Sequence, residues 1–178
     1  MDSKASGPAK KSVAVALNLR PATAADIPLI RTLAHRIWRE SYPGIISGGQ
    51  IEFMLGWMYS AEQLASEFAT SVPWELVEEN GEPVGFLSYQ LEPDARVKLN
   101  KLYLLPEHQH RGHSRTLLAH VCERARALGA HEVWLQVNKR NARAIAAYVK
   151  VGFHIASEAV ADIGHGFVMD DYFMAKAV

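Results

Sequence analysis

The sequence contains one cysteine, Cys122, among its 178 residues, so internal disulfide bonds are excluded and a reducing compartment is indicated. It also has no net charge, because 19 Lys and Arg balance 19 Asp and Glu, and nothing favours nucleic-acid binding by bulk electrostatics. No apolar run approaches the length that crosses a membrane. We therefore expect a cytoplasmic protein that binds neither nucleic acid nor membrane.

Residues 1–12 are small, polar and basic, and they lack the apolar core of a signal peptide. We expect them to form a disordered tail. Residues 13–178 contain no internal repeat and no linker that would divide them, and they are numerous enough for a substantial core. The sequence thus predicts a single domain over 13–178.

Apolar periodicity and turn residues predict alternating strands and helices in this domain. The strands are expected at 13–19, 74–79, 83–91, 96–104, 131–137, 153–158 and 167–176, and the helices at 27–41, 49–59, 61–69, 112–128 and 141–152. Hairpins make neighbouring strands antiparallel, whereas a helix between the fourth and fifth strands implies a parallel crossover. We expect an α/β fold with a mixed, mostly antiparallel sheet, a parallel pair between the fourth and fifth strands, and helices on both faces.

A polar, basic loop follows the fourth strand and leads at once into a helix. The first N–H groups of a helix are unpaired and its dipole is positive there, so helix N-termini attract anions. This arrangement predicts a phosphate-bearing cofactor at the loop, which supplies Gln109, His110, Arg111, Gly112, His113 and Ser114.

Two segments of the chain resemble motifs of the GNAT superfamily of N-acetyltransferases. Residues 109–114, QHRGHS, resemble the family's Q/R-x-x-G-x-G/A acyl-CoA loop, and residues 141–153 resemble its N-x-x-A-x-x-x-Y-x-x-x-G-F segment. Residues 166–176 also resemble the polyamine-acetyltransferase-like branch. The resemblance covers nearly everything after the tail and implies a GNAT acetyltransferase domain.

The resemblance implies acetyl-CoA as cofactor and an acetyl transfer to a primary amine of a small molecule or peptide, by direct attack in a ternary complex. Tyr148 would be the general acid that protonates the leaving thiolate. The pantetheine arm would lie against the fourth strand, and the pyrophosphate on the loop amides. The implied cofactor-binding residues are Leu102, Tyr103, Leu104, Gln109, His110, Arg111, Gly112, His113, Ser114, Arg115, Asn141, Ala144 and Tyr148.

The general base is left open by the sequence. Many family members carry a glutamate on the fourth strand, whereas Asn100 stands at the comparable place here, and an amide cannot accept the proton. The remaining candidates are Glu40, Glu92, His165, Asp170 and Asp171. We also expect Trp38 and Tyr42 to lie nearest the acceptor amine.

Other interpretations of the same residues remain. Asn100 favours a non-catalytic CoA-binding sensor or regulatory domain with the same fold, and Tyr148 could simply pack its ring and hydrogen-bond its hydroxyl to backbone. Residues 112–116 match only part of a serine-hydrolase elbow. The histidines at 108, 110 and 113 fit no metal template, and surface histidines beside an anion site explain them equally, so no metal is predicted. Exposed final strands often pair between subunits, which leaves a homodimer open.

Overall fold

The computed structural model describes residues 17–70, 72–109 and 111–178. The described strands are β1 (Leu17–Pro21), β2 (Trp74–Glu79), β3 (Glu82–Leu91), β4 (Arg96–Leu104), β5 (Glu132–Asn138), β6 (His154–Gly164) and β7 (Phe167–Ala177). The helices are α1 (Ile27–Ser41), α2 (Gly48–Met58), α3 (Ala61–Phe68), α4 (His113–Ala127) and α5 (Ala142–Lys150). The predicted tail and the first part of the first predicted strand lie outside the described residues.

Local capping interactions explain where most helices begin. The Thr23 N–H donates to the Asp26 carboxylate at 2.8 Å just before α1. The Ser47 and Ser60 hydroxyl oxygens accept the N–H groups of the third residues of α2 and α3, at 3.1 and 3.0 Å. The Asn141 side chain accepts the Ala144 N–H at 3.2 Å and caps α5 as predicted.

The strands form one sheet in the order β1-β2-β3-β4-β5-β7-β6, in which β4 and β5 are parallel and the other neighbours are antiparallel. Successive side chains of a strand point to opposite faces. Accordingly Leu76 and Phe86 are buried among residues of α1, α2 and α3, whereas Val77 and Leu87 are buried with residues of α4. Both faces of the sheet are therefore covered by helices, which confirms the predicted fold class.

The structure corrects two predicted boundaries and one loop. β6 extends from His154 to Gly164, well beyond the predicted end at 158, and nearly all its residues are exposed. No alternation of buried and exposed residues marked its length. β1 continues to Pro21, and Pro106–His108 form a 3-10 turn where only loop was expected.

The sheet edge carries exposed apolar residues, since β6 presents Ile155 and Val160 to solvent. The homodimer stays a prediction. Among the described helices, none has the length and apolar character needed to cross a membrane.

β4 and β5 separate soon after they pair, and this separation positions the site. Their pairing covers only Arg96–Lys98 against Glu132–Trp134, although β4 runs on to Leu104 and β5 to Asn138. On the other side of β4 the register with β3 shifts so that Asn100 is the extra residue of a β-bulge. The backbone of the second half of β4 therefore faces a cleft instead of a neighbouring strand.

Candidate functional site

A cavity of about 300 Å³ lies where β4 and β5 separate. It is lined by both strands, by α5 on one side of the sheet, and by α1, α2 and β7 on the other. Tyr148 and Ala144 belong to the α4–α5 side, whereas Trp38 and Met54 belong to the side of α1–α3. The cavity therefore connects the two faces of the sheet, so that two molecules could enter it from opposite sides.

The Tyr148 phenol is part of this cavity wall. Its ring packs against the core and lies 5.8 Å from the Phe153 ring, centroid to centroid. Burial and the neighbouring Tyr42 raise its pKa, so the hydroxyl keeps its proton at neutral pH. Among the described residues nothing accepts that proton in a hydrogen bond. The interpretation that the hydroxyl is bonded to backbone is therefore wrong, and the proton is available to a bound molecule.

The structure brings the other predicted residues of α5 and β4 to the same cavity. Asn141 and Ala144 line it together with Tyr148, and the three residues share one face of the helical segment. Leu102, Tyr103 and Leu104 line it from β4, next to the backbone edge that β5 leaves unpaired. An extended chain with its own amide groups could add to that edge like a strand.

The loop before α4 forms a turn that is tied to the end of β4. The Gln109 side chain donates to the Leu104 carbonyl at 2.8 Å and also lines the cavity. Gly112 has φ +82°, a conformation that L side chains rarely adopt, and it starts the helix. The Arg115 N–H donates to the Gly112 carbonyl at 3.1 Å, so the preceding N–H groups are the ones left for an anion. His110 lies outside the described residues.

A buried carboxylate under this loop was missed by sequence reasoning. Glu79, at the end of β2, is 5% exposed, and it accepts a hydrogen bond from His113 Nε2 at 2.9 Å. His108 Nδ1 lies 2.7 Å and Arg111 Nη1 3.2 Å from its other oxygen. Burial alone would raise the pKa of Glu79, but His113, His108 and Arg111 together lower it.

The Glu79 cluster, meaning Glu79 with His108, Arg111 and His113, corrects the earlier interpretation of these histidines. His113 is buried and His108 largely so, and they are not surface charges beside an anion site. Their side chains hold the loop to β2, so His113 can meet a ligand only through its backbone. No sequence signal indicated the contacts between Glu79 and these histidines, because Glu79 precedes an Asn-Gly turn, where a solvated carboxylate is common. Among the residues described, no group of three or more His, Cys, Asp or Glu could hold a metal ion.

Aromatic rings line the part of the cavity on the α1–α3 side. Trp38 stacks on Tyr42 with ring centroids 4.3 Å apart, and the hydroxyls of Tyr42 and Tyr103 lie 3.3 Å apart. Met54, Met58 and Met169 extend this apolar wall. The structure thus places both predicted acceptor-side residues, Trp38 and Tyr42, in the cavity.

Of the five candidate bases, the structure brings one to the cavity. Glu40 pairs with Arg36 at 3.0 Å, Glu92 accepts the Trp134 indole N–H at 2.7 Å, and Asp170 pairs with Lys139 at 2.7 Å. His165 lies against the Phe53 ring at the β6–β7 turn. Asp171 is 5% exposed and lines the cavity.

Known proteins with similar sequences are acetyltransferases. An uncharacterised N-acetyltransferase of Mycobacterium tuberculosis is 36% identical over 97 residues, which are 54% of this chain and 62% of that protein. The matching segment thus spans less than two thirds of this relative. The spermidine N(1)-acetyltransferase of Thermoplasma acidophilum is 25% identical over 146 residues, covering 79% of this chain and 90% of that protein.

Solved structures show the same fold. The PaiA N-acetyltransferase of Thermoplasma acidophilum, crystallised with coenzyme A, superposes with a TM-score of 0.78 at 24% identity, over 92% of this chain and 99% of that one. The ribosomal-protein-S18-alanine N-acetyltransferase of Escherichia coli gives 0.70 at 22% identity, over 92% and 94%. The model of the acetyltransferase (GNAT) family matches residues 33–153. Because this match includes both the separated strands and the helix that carries Tyr148, we conclude that the chain belongs to the GNAT acetyltransferase family.

Proposed function

We propose that this protein is an acetyl-CoA-dependent N-acetyltransferase that transfers the acetyl group to a primary amine by direct attack in a ternary complex. The observation that carries the proposal is the Tyr148 hydroxyl, which lines a cavity between two strands and has no hydrogen-bond partner among the described residues. Its raised pKa keeps it protonated, as a general acid must be before it acts.

The remaining residues suit the parts of acetyl-CoA. The unpaired edge of β4 at Leu102–Leu104 offers amide groups to the pantetheine arm, and a backbone N–H there would polarise the acetyl carbonyl. The first N–H groups of α4, after Gly112, suit the pyrophosphate. When bound, acetyl-CoA supplies the acetyl group as a thioester. Tyr148 then donates its proton to the departing sulfur.

The test is to follow free thiol release from acetyl-CoA with a panel of amines, for the wild type and for Tyr148→Phe. We expect Tyr148→Phe to lower kcat about tenfold to a thousandfold, the range of one general acid, while the Kd for CoA stays close to that of the wild type. Tyr89→Phe is the matched control, because Tyr89 is buried outside the cavity and donates to Glu75. An unchanged kcat in Tyr148→Phe refutes the assigned acid.

The rival is a domain that binds CoA without catalysis, and Asn100 is the feature that favours it. Asn100 lies at the β-bulge of β4 and lines the cavity, yet its amide cannot accept a proton. Tight CoA binding without thiol release on any amine would support the rival. Thiol release that depends on both an amine and Tyr148 would exclude it.

A further inference from the structure

Asp171 is a buried carboxylate that the fold leaves without a partner. It is 5% exposed, and no hydrogen bond reaches its oxygens from any of the residues that the structure describes. Burial, and then the charge of Asp170, raise its pKa to about 6, while Lys139 opposes this shift. A buried charge without a hydrogen bond is costly, and a carboxylate so perturbed in a cavity is a candidate for contact with a ligand.

The strand geometry puts this carboxylate on the acceptor side of the cavity. Along β7, Tyr172 packs into the core beneath α4 and α5, whereas Met169 packs with the α1–α3 side. Side chains of a strand alternate, so Asp171 shares the face of Met169. Tyr42 lines the same cavity, and the charge of Asp171 contributes to the raised pKa of the Tyr42 hydroxyl, after the larger effect of burial. Tyr148 belongs to the opposite face.

We propose that Asp171 binds the ammonium group of a monoamine with an apolar body and accepts the proton that this amine must lose before it attacks. This inference rests on the proposed function and names the substrate class and the base of the same site. Alkyl ammonium ions have pKa values near 10, so the amine enters charged at neutral pH. A carboxylate with a pKa of about 6 is ionised there, and it is a stronger base than an ordinary aspartate.

The proton balance of the transfer is then complete. The ammonium gives one proton to Asp171, and the neutral nitrogen forms a bond to the acetyl carbonyl carbon. As the carbon–sulfur bond breaks, Tyr148 donates its proton to the sulfur, and the nitrogen's second proton replaces the one that Tyr148 has lost. Asp171 releases its proton to solvent after the amide leaves, so that one proton is released for each amide formed.

The charges around the cavity select a monoamine over a polyamine. Asp171 is the single acidic residue among the described residues that line it, and Lys98 and Arg143 are basic, whereas the buried Lys101 ammonium lies 3.8 Å from Glu67. A second ammonium group of a polyamine would have no carboxylate to replace its water and would meet these cations. The wall formed by Trp38, Tyr42 and the methionines suits an aromatic or aliphatic body instead.

The experiment compares phenethylamine with spermidine, as kcat/KM at saturating acetyl-CoA, in the wild type, Asp171→Asn and Asp170→Asn. We expect the wild type to prefer phenethylamine at least tenfold, and Asp171→Asn to lower kcat/KM about a hundredfold or more, the scale of one general base. The acid limb of the wild-type pH profile should fall near pH 6. Asp170→Asn should retain activity and move that limb to lower pH, because it removes a charge that raises the pKa of Asp171.

Binding without acetyl-CoA gives a second measurement. Phenethylamine should raise the Tm of the wild type and of Asp170→Asn, but not of Asp171→Asn. A preference for spermidine overturns the substrate class, and an Asp171→Asn variant with wild-type rate, pH profile and Tm shift overturns the role of Asp171. Either result leaves the proposed function standing if Tyr148 is still required, whereas no thiol release with any amine contradicts both proposals.

Discussion

Glu79, the last residue of β2, is joined to His113, the first residue of α4, by a hydrogen bond of 2.9 Å between the carboxylate and Nε2. The two residues are 34 positions apart, and the bond fixes the loop that precedes α4 onto the sheet. His108 and Arg111 contact the same carboxylate from within the loop. The carboxylate thus determines where the first N–H groups of α4 point.

We predict that Glu79→Gln weakens CoA binding about tenfold or more. Without the carboxylate the loop is less ordered in the free protein, and ordering it on binding costs part of the binding free energy. The measurement is calorimetric titration of CoA. Glu78→Gln is the matched control, because Glu78 points to Arg20 on β1 and contacts none of the loop residues described. Equal Kd values for Glu79→Gln and the wild type would contradict the positioning role.

The charge at the helix start can be tested at Gly112. A Cβ there meets nothing within 4 Å, so the cost of a side chain comes from φ +82°, which Asn and Asp tolerate best. Gly112→Asp and Gly112→Asn therefore share the backbone strain and differ in one negative charge. We expect Gly112→Asp to bind CoA about tenfold more weakly than Gly112→Asn, with the gap narrowing at high salt. If the two variants bind CoA equally well at low salt, the pyrophosphate does not bind at this helix start.

Most of the site residues that could be predicted from the sequence are close to one another along the chain. Asn141, Ala144 and Tyr148 share a helical face by spacing alone, and Gly112 follows from the loop-to-helix transition. Glu79 and Asp171 could not be assigned a place in the same way. Their surroundings come from β2 meeting the loop and from β7 lying beside β5, and these contacts are set by sheet topology. The same limit applied to β6, whose exposed residues carry no buried pattern.

Among the glycines described, Gly85 on β3 leaves the least room for a side chain, because β4 lies directly against it. A Cβ at this position would overlap the Tyr103 carbonyl oxygen and would lie 2.8 Å from the Leu104 side chain. We predict that Gly85→Ala lowers the free energy of unfolding by about 1–3 kcal/mol, as overpacking does, and weakens CoA binding by moving β4. Urea denaturation and CoA titration measure the two effects.

The control for Gly85 is Gly56→Ala, since Gly56 is an exposed helical residue with nothing within 4 Å of the added Cβ. Alanine is a better helix former than glycine, so the free energy of unfolding of this variant should rise by about 0.5–1 kcal/mol. The prediction for Gly85 is wrong if both variants change stability in the same direction.

Asp171 should reduce stability where it is ionised. Its pKa rises from the ordinary 3.8 to about 6 on folding, so the folded chain binds more protons than the unfolded chain between these values. The free energy of unfolding therefore falls as the pH rises from about 4 to 6, and the loss persists above that window. Asp170 and Lys139 act on this carboxylate, and the carboxylate in turn acts on Tyr42. Lys98 and Arg143 line the same cavity, whereas the Lys101 ammonium is directed to Glu67.

We predict that Asp171→Asn raises the free energy of unfolding by about 1–2 kcal/mol at pH 7.5, after allowance for solvent screening, and by much less at pH 4. Urea denaturation of both proteins across this pH range measures the difference. An inactive variant that is also more stable at neutral pH would separate the role of Asp171 in the reaction from any role in folding. A gain that is the same at pH 4 and pH 7.5 would mean that the carboxylate has an ordinary pKa in the folded chain.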